Sequence, residues 1–598
     1  MTKSRYIVGI DLGTTNTVVA YIDTEDPNPA PVVFEIPQIT EIGVVEKFMM
    51  LPSFLYIPTE SEKPETSFAL PWGSPTDAVA GVYAGKRGAQ LPNRLISSAK
   101  SWLCHAAVDR TSPILPWGSP EDVQKLSPLE ASSRYLSHIR AAWDAHFGKT
   151  SQLSAQDIYL TVPASFDAAS REFTVKAAEI SGLNNVTLVE EPLSAFYFWL
   201  NKHMDIWRKT LKVGDIVLVC DIGGGTTDFT LIEVQQEGGE LSLHRIAVGE
   251  HILLGGDNMD LMLAFILKKK FSARGVSLDN YQMLGLVHGA RQAKEIMLNN
   301  AEAEESYKIS VLGRGRSVIG GTIETELSRG DLETAILDGF FPFITIDEMP
   351  VEKRSSGFKE IGLNYASDSA VTRHLAKFLS RHAHQDGGFI KPTKILFNGG
   401  VTKAAAVRER LIKIICGWLE LPEGETITVL EGTEPDLAVS QGASCYGYTK
   451  RGNGIRVRGG AGRSYYIGLE AAMPAVPGME PPVKALCVCP IGMEEGTDVR
   501  VPGQEFGLVV GEHVKFRFFS STVRRDDTVG AIVDEWISGE IEELSPVETT
   551  LPAEENAGAL VPVTLHLYLT EVGTLSIFCE STDGKNKWKL EFNARDEG

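Results

Sequence analysis

Hydrophobic positions follow two different periods along the chain, and the period changes near residue 450. Before that point, short apolar runs alternate with amphipathic segments of helical period. The runs at 158–162 and 394–397 predict strands, and the segments 168–181 and 407–418 predict helices. Strands that alternate with helices predict layered α/β structure.

Beyond residue 463 the apolar side chains recur at every second position. They alternate with polar ones along 514–518, 563–569 and 588–592, and an Asp-Gly turn at 583–584 precedes the last of these segments. This alternation is typical of half-buried strands. It predicts a small all-β domain over residues 464–598, arranged as a sandwich.

The stretch between the two regions has its own composition. "RGNGIRVRGGAGR", residues 451–463, is rich in glycine and arginine and contains no acid, although the chain as a whole is acidic. A composition break of this kind predicts an interdomain linker. We therefore expect an α/β domain over 1–450, a linker over 451–463 and the β domain over 464–598.

Length and charge narrow the possible functions. At 598 residues the chain is too long for one hydrophobic core, which agrees with several domains. It carries 78 acidic and 57 basic side chains, a net charge of −21 and a pI near 5.1. Such a field repels nucleic acids and anionic membranes, so neither is expected as a primary partner.

The N-terminal sequence and the cysteines predict a location. The first apolar stretch ends at Asp11 and is too short for a signal peptide. No apolar run reaches the ~18 residues of a transmembrane helix. The seven cysteines are scattered and odd in number, so they do not make a disulfide framework. We expect a reduced, cytoplasmic protein.

Two segments of the α/β region repeat each other. "DLGTTNTVVAYI" (11–22) matches "DIGGGTTDFTLI" (221–232), and each follows an apolar run. A dinucleotide-binding loop would need its glycines to open a helix, whereas these lead into a second apolar run. Strand, turn and strand is the better interpretation. The repeat predicts two related lobes, roughly 1–210 and 211–450, that present one hairpin each to a shared cleft.

The residues of these hairpins predict an anion site. Glycines 223–225 have no Cβ, so their backbone N–H groups can close on an anion, and residues 13–15 can do the same with added hydroxyls. Asp11 and Asp221 would repel phosphate unless a cation lay between them. Mg²⁺ is a hard ion held by a few carboxylates together with phosphate. A polyphosphate–Mg²⁺ complex between two lobes is therefore predicted.

The paired hairpins resemble those of the actin, sugar-kinase and seventy-kilodalton heat-shock (DnaK-type) ATPase superfamily. Further segments resemble the DnaK-type heat-shock branch: "SSAKSWL" (97–103), "TVPASFDAASREFTVKAAEISGLNNVTLVEEPLSAF" (161–196), "GEHILLGGDNMDLML" (249–263), "ILFNGGVTKAAAVRERL" (395–411) and "EPDLAVSQGASCYGY" (434–448). The resemblance spans residues 5–450 in order. A looser one links "SYYIGLE" (464–470) and residues 563–592 to the peptide-binding sandwich of those chaperones. It implies a two-lobed, actin-like (ribonuclease H-like) ATPase domain followed by a β-sandwich.

The resemblance also implies roles for individual residues around ATP or ADP and Mg²⁺. Contacts to the phosphates would come from Gly13, Thr14, Thr15, Gly223, Gly224 and Gly225. The waters of Mg²⁺ would be held by Asp11, Glu191 and Asp221. Lys100 would stabilise charge on the γ-phosphate, while Asp228 and Thr226 would orient the attacking water or hold a monovalent cation such as K⁺. The nucleoside side would comprise Lys294, Gly399, Gly400, Lys403 and Asp436. Pro163 and Arg171 would relay the state of the site to the interdomain surface.

Three features depart from the family pattern. On the adenine side stand Glu295, Leu298, Val401 and Lys403, where relatives place stacking arginines and serines. Lysine lacks the planar face of arginine, so we expect weaker ATP binding than in typical members. The linker is basic rather than apolar and acidic, and we expect no helical lid after the β domain.

The resemblance therefore implies a slow, Mg²⁺-dependent, chaperone-like ATPase that couples its nucleotide state to the binding of polypeptide clients, with a J-domain co-chaperone as a possible partner. Two alternatives remain open. One is a sugar-kinase-like phosphotransferase on the same scaffold. The other is an ATP-switched interaction or filament protein whose β domain binds one fixed partner.

Overall fold

The computed structural model describes most of the chain. The described residues are 4–62, 68–73, 77–105, 108–237, 240–249, 252–299, 305–312, 322–351, 366–381, 388–422, 424–432, 434–452, 457–459, 461, 463–470, 482–491, 493–494, 496–521, 524, 526–537, 540–544, 546–552, 559–570 and 574–593. Within the predicted linker, residues 453–456, 460 and 462 therefore lie outside the described residues.

Helices and strands alternate through the first 450 residues. The α-helices are α1 Val82–Gln90, α2 Ala99–Leu103, α3 Pro128–Phe147, α4 Ala168–Ile180, α5 Glu191–Lys202, α6 Trp207–Thr210, α7 Gly256–Ala273, α8 Asn280–Asn299, α9 Arg329–Glu333, α10 Val371–Arg381, α11 Ala405–Trp418 and α12 Ala438–Lys450. The strands up to residue 450 are β1 Tyr6–Leu12, β2 Asn16–Asp23, β3 Val32–Val33, β4 Ile36–Glu41, β5 Val44–Phe48, β6 Met50–Pro52, β7 Leu55–Tyr56, β8 Val79–Ala80, β9 Leu95–Ile96, β10 Asp157–Val162, β11 Val186–Glu190, β12 Ile216–Ile222, β13 Thr227–Glu237, β14 Glu240–Val248, β15 Ser306–Leu312, β16 Thr322–Ser328, β17 Lys394–Asn398 and β18 Thr428–Val429.

Strands continue after residue 450. They are β19 Val457–Gly459, β20 Ser464–Glu470, β21 Val483–Cys489, β22 Thr497–Arg500, β23 Phe506–Val510, β24 His513–Phe516, β25 Phe518–Ser521, β26 Ile532–Val533, β27 Glu542–Glu543, β28 Val547–Thr550, β29 Ala559–Leu569, β30 Thr574–Ser581 and β31 Lys587–Asn593. Among the helices in the described part of the chain, none is long and apolar enough to cross a membrane.

The chain divides into two compact units. The first comprises Met1–Val234 and Gly249–Arg456, and the second comprises Gln235–Val248 and Val457–Gly598. The boundary at residue 456 falls inside the predicted linker. Residues 235–248 lie within the predicted α/β domain but belong to the second unit, where β14 pairs in parallel with β19.

Two sheets of the first unit have the same strand order and directions. In one, β11, β10 and β1 run parallel and β2 returns antiparallel to β1. In the other, β18, β17 and β12 run parallel and β13 returns antiparallel to β12. The repeated sequence motif therefore lies on equivalent hairpins, β1–β2 and β12–β13. The α/β architecture is confirmed, and it is consistent with the actin-like fold that the resemblance implies.

Local sequence explains why individual elements form. Helix α4 starts at residue 168 because the Asp167 carboxylate accepts a hydrogen bond from the Ser170 amide (2.7 Å). Helix α3 has a capping box in which Ser127 and Glu130 satisfy each other's backbone amides, and Pro128 occupies its first turn.

Helix α12 packs back onto the first sheet. A Cβ on Gly442 would lie 1.7 Å from the Ser194 carbonyl oxygen of α5, so only glycine permits this approach of the two backbones. The Tyr446 ring meets Tyr159 of β10 and Tyr197 of α5 edge-on, with centroid distances of 5.7 and 5.2 Å. The last helix of this unit is therefore part of the core around its first strands.

The duplicated "LPWGSP" segments at 70–75 and 115–120 use their tryptophans in packing. The Trp72 ring meets His138 of α3 edge-on at 5.1 Å, and the Trp117 ring stacks on Trp102 of α2 at 4.7 Å. Each tryptophan thus fastens its own turn to a different helix. Residues 74 and 75 of the first copy lie outside the described residues.

The described part of the second unit contains strands and no helix. One sheet has the order β26-β21-β20-β25-β27, and the other joins β22, β29, β30 and β31 with β23 alongside β29. A single apolar core takes residues from both sheets, among them Ile467, Leu486, Leu567 and Ile577. The predicted strands at 563–569 and 588–592 are confirmed.

One predicted strand is divided. The alternating segment 514–518 belongs to two strands, β24 and β25, with Arg517 between them. Strand β24 pairs with β28, whereas β25 pairs with β20 and β27. The period-two pattern continues through the break, so the sequence alone does not reveal it.

Candidate functional site

The turn of the first hairpin is fixed by a residue outside it. The Ser53 amide donates to the Thr15 carbonyl oxygen and the Ser53 hydroxyl donates to the Gly13 carbonyl oxygen, both at 2.8 Å. Asp11, at the end of β1, accepts a hydrogen bond from the Thr161 hydroxyl of β10 (3.0 Å). The sheet thereby orients the carboxyl group that precedes the turn.

The second hairpin carries two aspartates at paired positions. Asp221 of β12 lies opposite Asp228 of β13, and the Gly223 amide closes the turn on the Thr226 carbonyl oxygen (2.9 Å). The Asn398 side chain, at the end of β17, donates to Asp221 Oδ2 (2.8 Å). Parallel pairing of β12 with β17 brings these two side chains to one sheet edge.

The two turns approach each other closely at Gly224. A Cβ at this position would lie 2.1 Å from Thr15 Oγ1 of the first hairpin. Any side chain larger than that of glycine would therefore displace the threonine hydroxyl. The predicted opposition of the two hairpins is thus a feature of the fold.

A cavity of about 380 Å³ lies between them. The predicted site residues that line it are Asp11, Gly13, Thr14, Thr15, Lys100, Glu191, Asp221, Gly223, Gly224, Thr226, Lys294, Gly399, Gly400, Lys403 and Asp436. The structure brings these residues together from both halves of the first unit. Gly225, Asp228, Pro163 and Arg171 are not among the lining residues.

Lys100 lies in α2 and forms an ion pair with Glu191, the first residue of α5. Burial alone would lower the pKa of Lys100, but the charges of Glu191 and Asp11 outweigh it and raise that pKa above its ordinary value. Lys100 therefore remains protonated at neutral pH. Its ammonium group contributes a fixed positive charge to the cavity.

Three carboxyl groups, those of Asp11, Glu191 and Asp221, form the floor of the cavity, and burial raises the pKa of each. Burial, and then the charge of Glu191, raise the pKa of Asp11 to about 7, and the same two causes raise that of Asp221 well above its ordinary value. Burial also raises the pKa of Glu191, against the effect of Lys100. One ammonium group thus faces three carboxyl groups, an arrangement that favours a further cation.

The donor set fits a hydrated ion better than a directly bound one. Among the described residues, no three His, Cys, Asp or Glu side chains come close enough together to hold a metal ion directly. In the same part of the chain, Asn398 Oδ1 is buried at the cavity and accepts no hydrogen bond. Oxygen donors that hold an ion through its waters suit Mg²⁺, which gives up its hydration shell reluctantly.

Asp228 lies behind the cavity, against the loop that follows β10. Its Oδ1 accepts a hydrogen bond from the Ser165 amide (3.2 Å) and another from the Ser165 hydroxyl. The Arg171 guanidinium of α4 is buried and donates to the Ala164 carbonyl oxygen (3.0 Å). Pro163, at the start of this loop, accepts the Phe166 amide (3.2 Å). The predicted relay residues therefore touch the segment that holds Asp228.

The opposite end of the cavity is lined by charged and apolar side chains. Lys294 pairs with Asp260 (2.7 Å) and donates to the Gly256 carbonyl oxygen (3.0 Å). Lys403 forms an ion pair with Asp436, so the two predicted ligand residues satisfy each other's charge. Glu295, Leu298 and Val401, the positions that depart from the family pattern, also line this end.

The lining residues that the sequence did not predict include Asp257, Asp260, Arg291 and Asn398. Arg291 of α8 donates to Asp260 Oδ2 (2.7 Å) and pairs with Asp257, so two aspartates of α7 hold its side chain. The sequence did contain signals for these residues. Both aspartates lie in the glycine-rich segment 249–263, Arg291 lies one helical turn before Lys294, and Asn398 immediately precedes Gly399.

Comparison with known proteins points to the same family that the paired hairpins resemble. Residues 111–341 match the sequence model of the Hsp70 protein family. The chain is also similar to a chaperone protein HscA homolog from Pseudomonas fluorescens, with 28% identity over 310 residues. That similarity covers 51% of this chain and 44% of the relative, so the chain spans less than half the length of the curated relative it matches.

The matched span contains one half of the site. It includes β12–β13 with Asp221 and Asp228, as well as Glu191 and Lys294, whereas Asp11 and Lys100 lie before it. The first hairpin, which carries Asp11, lies outside the matched span, and the fold places it opposite the second hairpin. Both comparisons thus show that part of the chain is similar to Hsp70-type proteins, in agreement with the resemblance of its paired hairpins.

Proposed function

We propose that this chain binds ATP with Mg²⁺ between its two hairpins and hydrolyses the nucleotide slowly. The observation that carries the proposal is the pairing of the opposed hairpins with a cavity floor of three carboxyl groups and one lysine. A bound Mg²⁺ would offset the charge of the phosphates, which the carboxyl groups would otherwise repel.

The groups of this chain would divide the work of phosphoryl transfer by position. The Thr14 and Thr15 hydroxyls and the amide of Gly224 would bind phosphate oxygens. The Gly223 amide donates to Thr226 and Gly225 does not line the cavity, so a role for these two amides would require the turn to adjust. The Lys100 ammonium would stabilise charge on the γ-phosphate, and positioning with electrostatics supplies most of the rate in such reactions. Asp11, Glu191 and Asp221 would hold the waters of the ion, and Asp228 with Thr226 would orient the attacking water or hold K⁺.

The nucleoside would lie at the other end of the cavity, beside Lys294, Gly399, Gly400, Lys403 and Asp436. The side chains of Leu298 and Val401 offer the base apolar contact, whereas Lys403 engages Asp436. This combination supports the expectation that ATP binds more weakly than in typical members. Pro163 and Arg171 would relay the state of the site.

We further propose that the second unit binds polypeptide clients in a manner set by the nucleotide. Its two sheets with one shared core support a sandwich over residues 464–598. A J-domain co-chaperone and a cytoplasmic location belong to the same proposal. The relative's description as a chaperone agrees with it.

ATP hydrolysis is tested with the purified chain, in Mg²⁺ and in EDTA. We expect slow phosphate release that requires Mg²⁺ and falls by about 10²–10³ in Asp221→Asn. Asp23→Asn is the matched control, because Asp23 ends β2 of the first sheet and pairs with Arg5 away from the cavity. Hydrolysis that is indifferent to EDTA, or equal in both variants, would overturn the ATPase assignment.

Client binding is tested by titrating labelled apolar peptides with ATP and with ADP. We expect tighter peptide binding in ADP, and loss of this difference in Asp221→Asn. Absence of peptide binding in both states would favour an ATP-switched protein with one fixed partner. Phosphorylation of a small hydroxylated acceptor by the chain would favour the kinase-like alternative.

A further inference from the structure

Ser98 has an unusual backbone at the start of the helix that carries Lys100. Its φ is +53° and its ψ is +33°, the left-handed conformation that residues other than glycine rarely adopt. Its carbonyl oxygen accepts the amides of Ser101 (3.0 Å) and Trp102 (3.3 Å), which begin α2. The direction in which α2 leaves this point therefore depends on Ser98.

The Ser98 side chain is held from the other side of the cavity. Its hydroxyl donates to Asp257 Oδ2 of α7 at 2.5 Å, across 159 residues of sequence. The Asp257 amide in turn donates to the Gly224 carbonyl oxygen (2.7 Å). One residue thus joins the second hairpin to the helix of Lys100.

Asp257 is itself oriented by Arg291. The guanidinium pairs with Asp257 and with Asp260, and it lies over the Phe54 ring at 5.8 Å from its centroid. These contacts come from elements on both sides of the cavity. The carboxylate that receives the Ser98 hydroxyl is therefore fixed in place.

We propose that Ser98 is a positioning residue for Lys100. Asp257 holds the Ser98 hydroxyl and with it the left-handed backbone that directs α2, so Lys100 reaches its place only while the two sides of the cavity are closed on each other. The inference rests on the ATP hydrolysis proposed above. On this inference, the Ser98–Asp257 hydrogen bond increases the rate of hydrolysis, whereas nucleotide affinity depends on other residues.

Two variants separate the hydroxyl from the backbone. Ser98→Ala removes the donor, whereas Ser98→Asn restores a donor on a residue that tolerates the left-handed region. Ser97→Ala is the matched control, because it changes the neighbouring hydroxyl and leaves the Ser98–Asp257 bond in place. Single-turnover hydrolysis of bound ATP and the Kd for ADP are measured for each.

We expect Ser98→Ala to slow single-turnover hydrolysis about tenfold or more while the Kd for ADP stays within about twofold, since misplacement acts on the reacting geometry. Ser98→Asn recovers most of the rate. In the protein without nucleotide, amide exchange over 97–103 is faster in Ser98→Ala than in the wild type and in Ser97→Ala.

Other results would contradict the inference. A wild-type rate and wild-type exchange in Ser98→Ala would remove the positioning role and leave the proposed ATPase intact. Equal losses of rate and ADP affinity, without recovery in Ser98→Asn, would mark Ser98 as merely structural. A wild-type chain that does not hydrolyse ATP would overturn the proposed function, and this inference with it.

Discussion

Lys100 and Glu191 form an ion pair that is nearly closed off from solvent, with side chains 9% and 13% exposed. The lysine comes from a short helix beside the first hairpin and the glutamate from the first turn of α5. Removal of one member of such a pair leaves the other charge buried without its partner, which is costlier than the loss of a surface pair.

Lys100→Ala should therefore lower the rate of ATP hydrolysis by about 10²–10³-fold, because the γ-phosphate would lose the cation that we propose stabilises its charge. It should also raise the pKa of Glu191 further, since Lys100 opposes that shift. Phosphate release under saturating ATP checks the rate. Lys86→Ala, at an exposed position of α1, is the control, and an equal effect in both variants would contradict the role of Lys100.

Neighbouring glycines of the second hairpin should respond differently to alanine. A Cβ on Gly224 would lie 2.1 Å from Thr15 Oγ1, whereas a Cβ on Gly223 has its nearest neighbour at 3.5 Å, an ordinary contact. We expect Gly224→Ala to weaken ATP binding about tenfold or more, the equivalent of roughly 1.4 kcal/mol, because Thr15 must turn away. Isothermal titration of both variants measures this. Equal affinities would show that the hairpins need not approach so closely.

A substitution at the end of the cavity where the base would lie should strengthen ATP binding. Lys403→Arg keeps a cation for Asp436 and adds a planar face on which a purine can stack. We expect ATP to bind about two- to fivefold more tightly, a gain of roughly 0.5–1 kcal/mol. Competition with a fluorescent nucleotide measures the change. Lys413→Arg, exposed on α11, should leave affinity unchanged, and tighter binding there would point to a general charge effect.

His138 should make stability depend on pH. Burial lowers the pKa of His138 to about 4, while its Nε2–H donates to the Pro37 carbonyl oxygen (2.9 Å). The unfolded chain binds this proton at higher pH than the folded one, so stability is lost as pH falls from about 6.5 towards 4. Urea titrations at pH 7 and pH 4.5 give the free energy of unfolding at each pH. We expect the drop in this free energy between the two pH values to be about 2–3 kcal/mol smaller in His138→Gln than in the wild type. An equal loss in both would exclude His138.

The local patterns of this chain predict its hairpins well and its long-range contacts poorly. The aspartate before each glycine turn, with an apolar run on either side, was enough to place Asp11 and Asp221 at matched ends of two strands. Nothing in the neighbourhood of Ser98 indicates that its hydroxyl meets Asp257. That contact depends on how the sheets face each other.

The same limit explains the base end of the cavity. Lys403 and Asp436 were both predicted to contact the ligand, and their mutual ion pair follows from the return of the chain between β17 and α12. The division of segment 514–518 between two strands likewise depends on which neighbours each half finds. Sequence period specifies the strand state, and the pairing partners specify where a strand ends.

The placement of α12 has a consequence for biosynthesis. The strands that begin the chain are closed by a helix whose Gly442 and Tyr446 emerge from the ribosome long after Tyr159 and Ser194. Until then the surface that α12 covers is open to water and to other chains. An isolated fragment of residues 1–210 should consequently aggregate or need assistance, and a later supply of the segment 434–452 should rescue it. A protein that resembles a chaperone would itself pass through a stage of synthesis that calls for one.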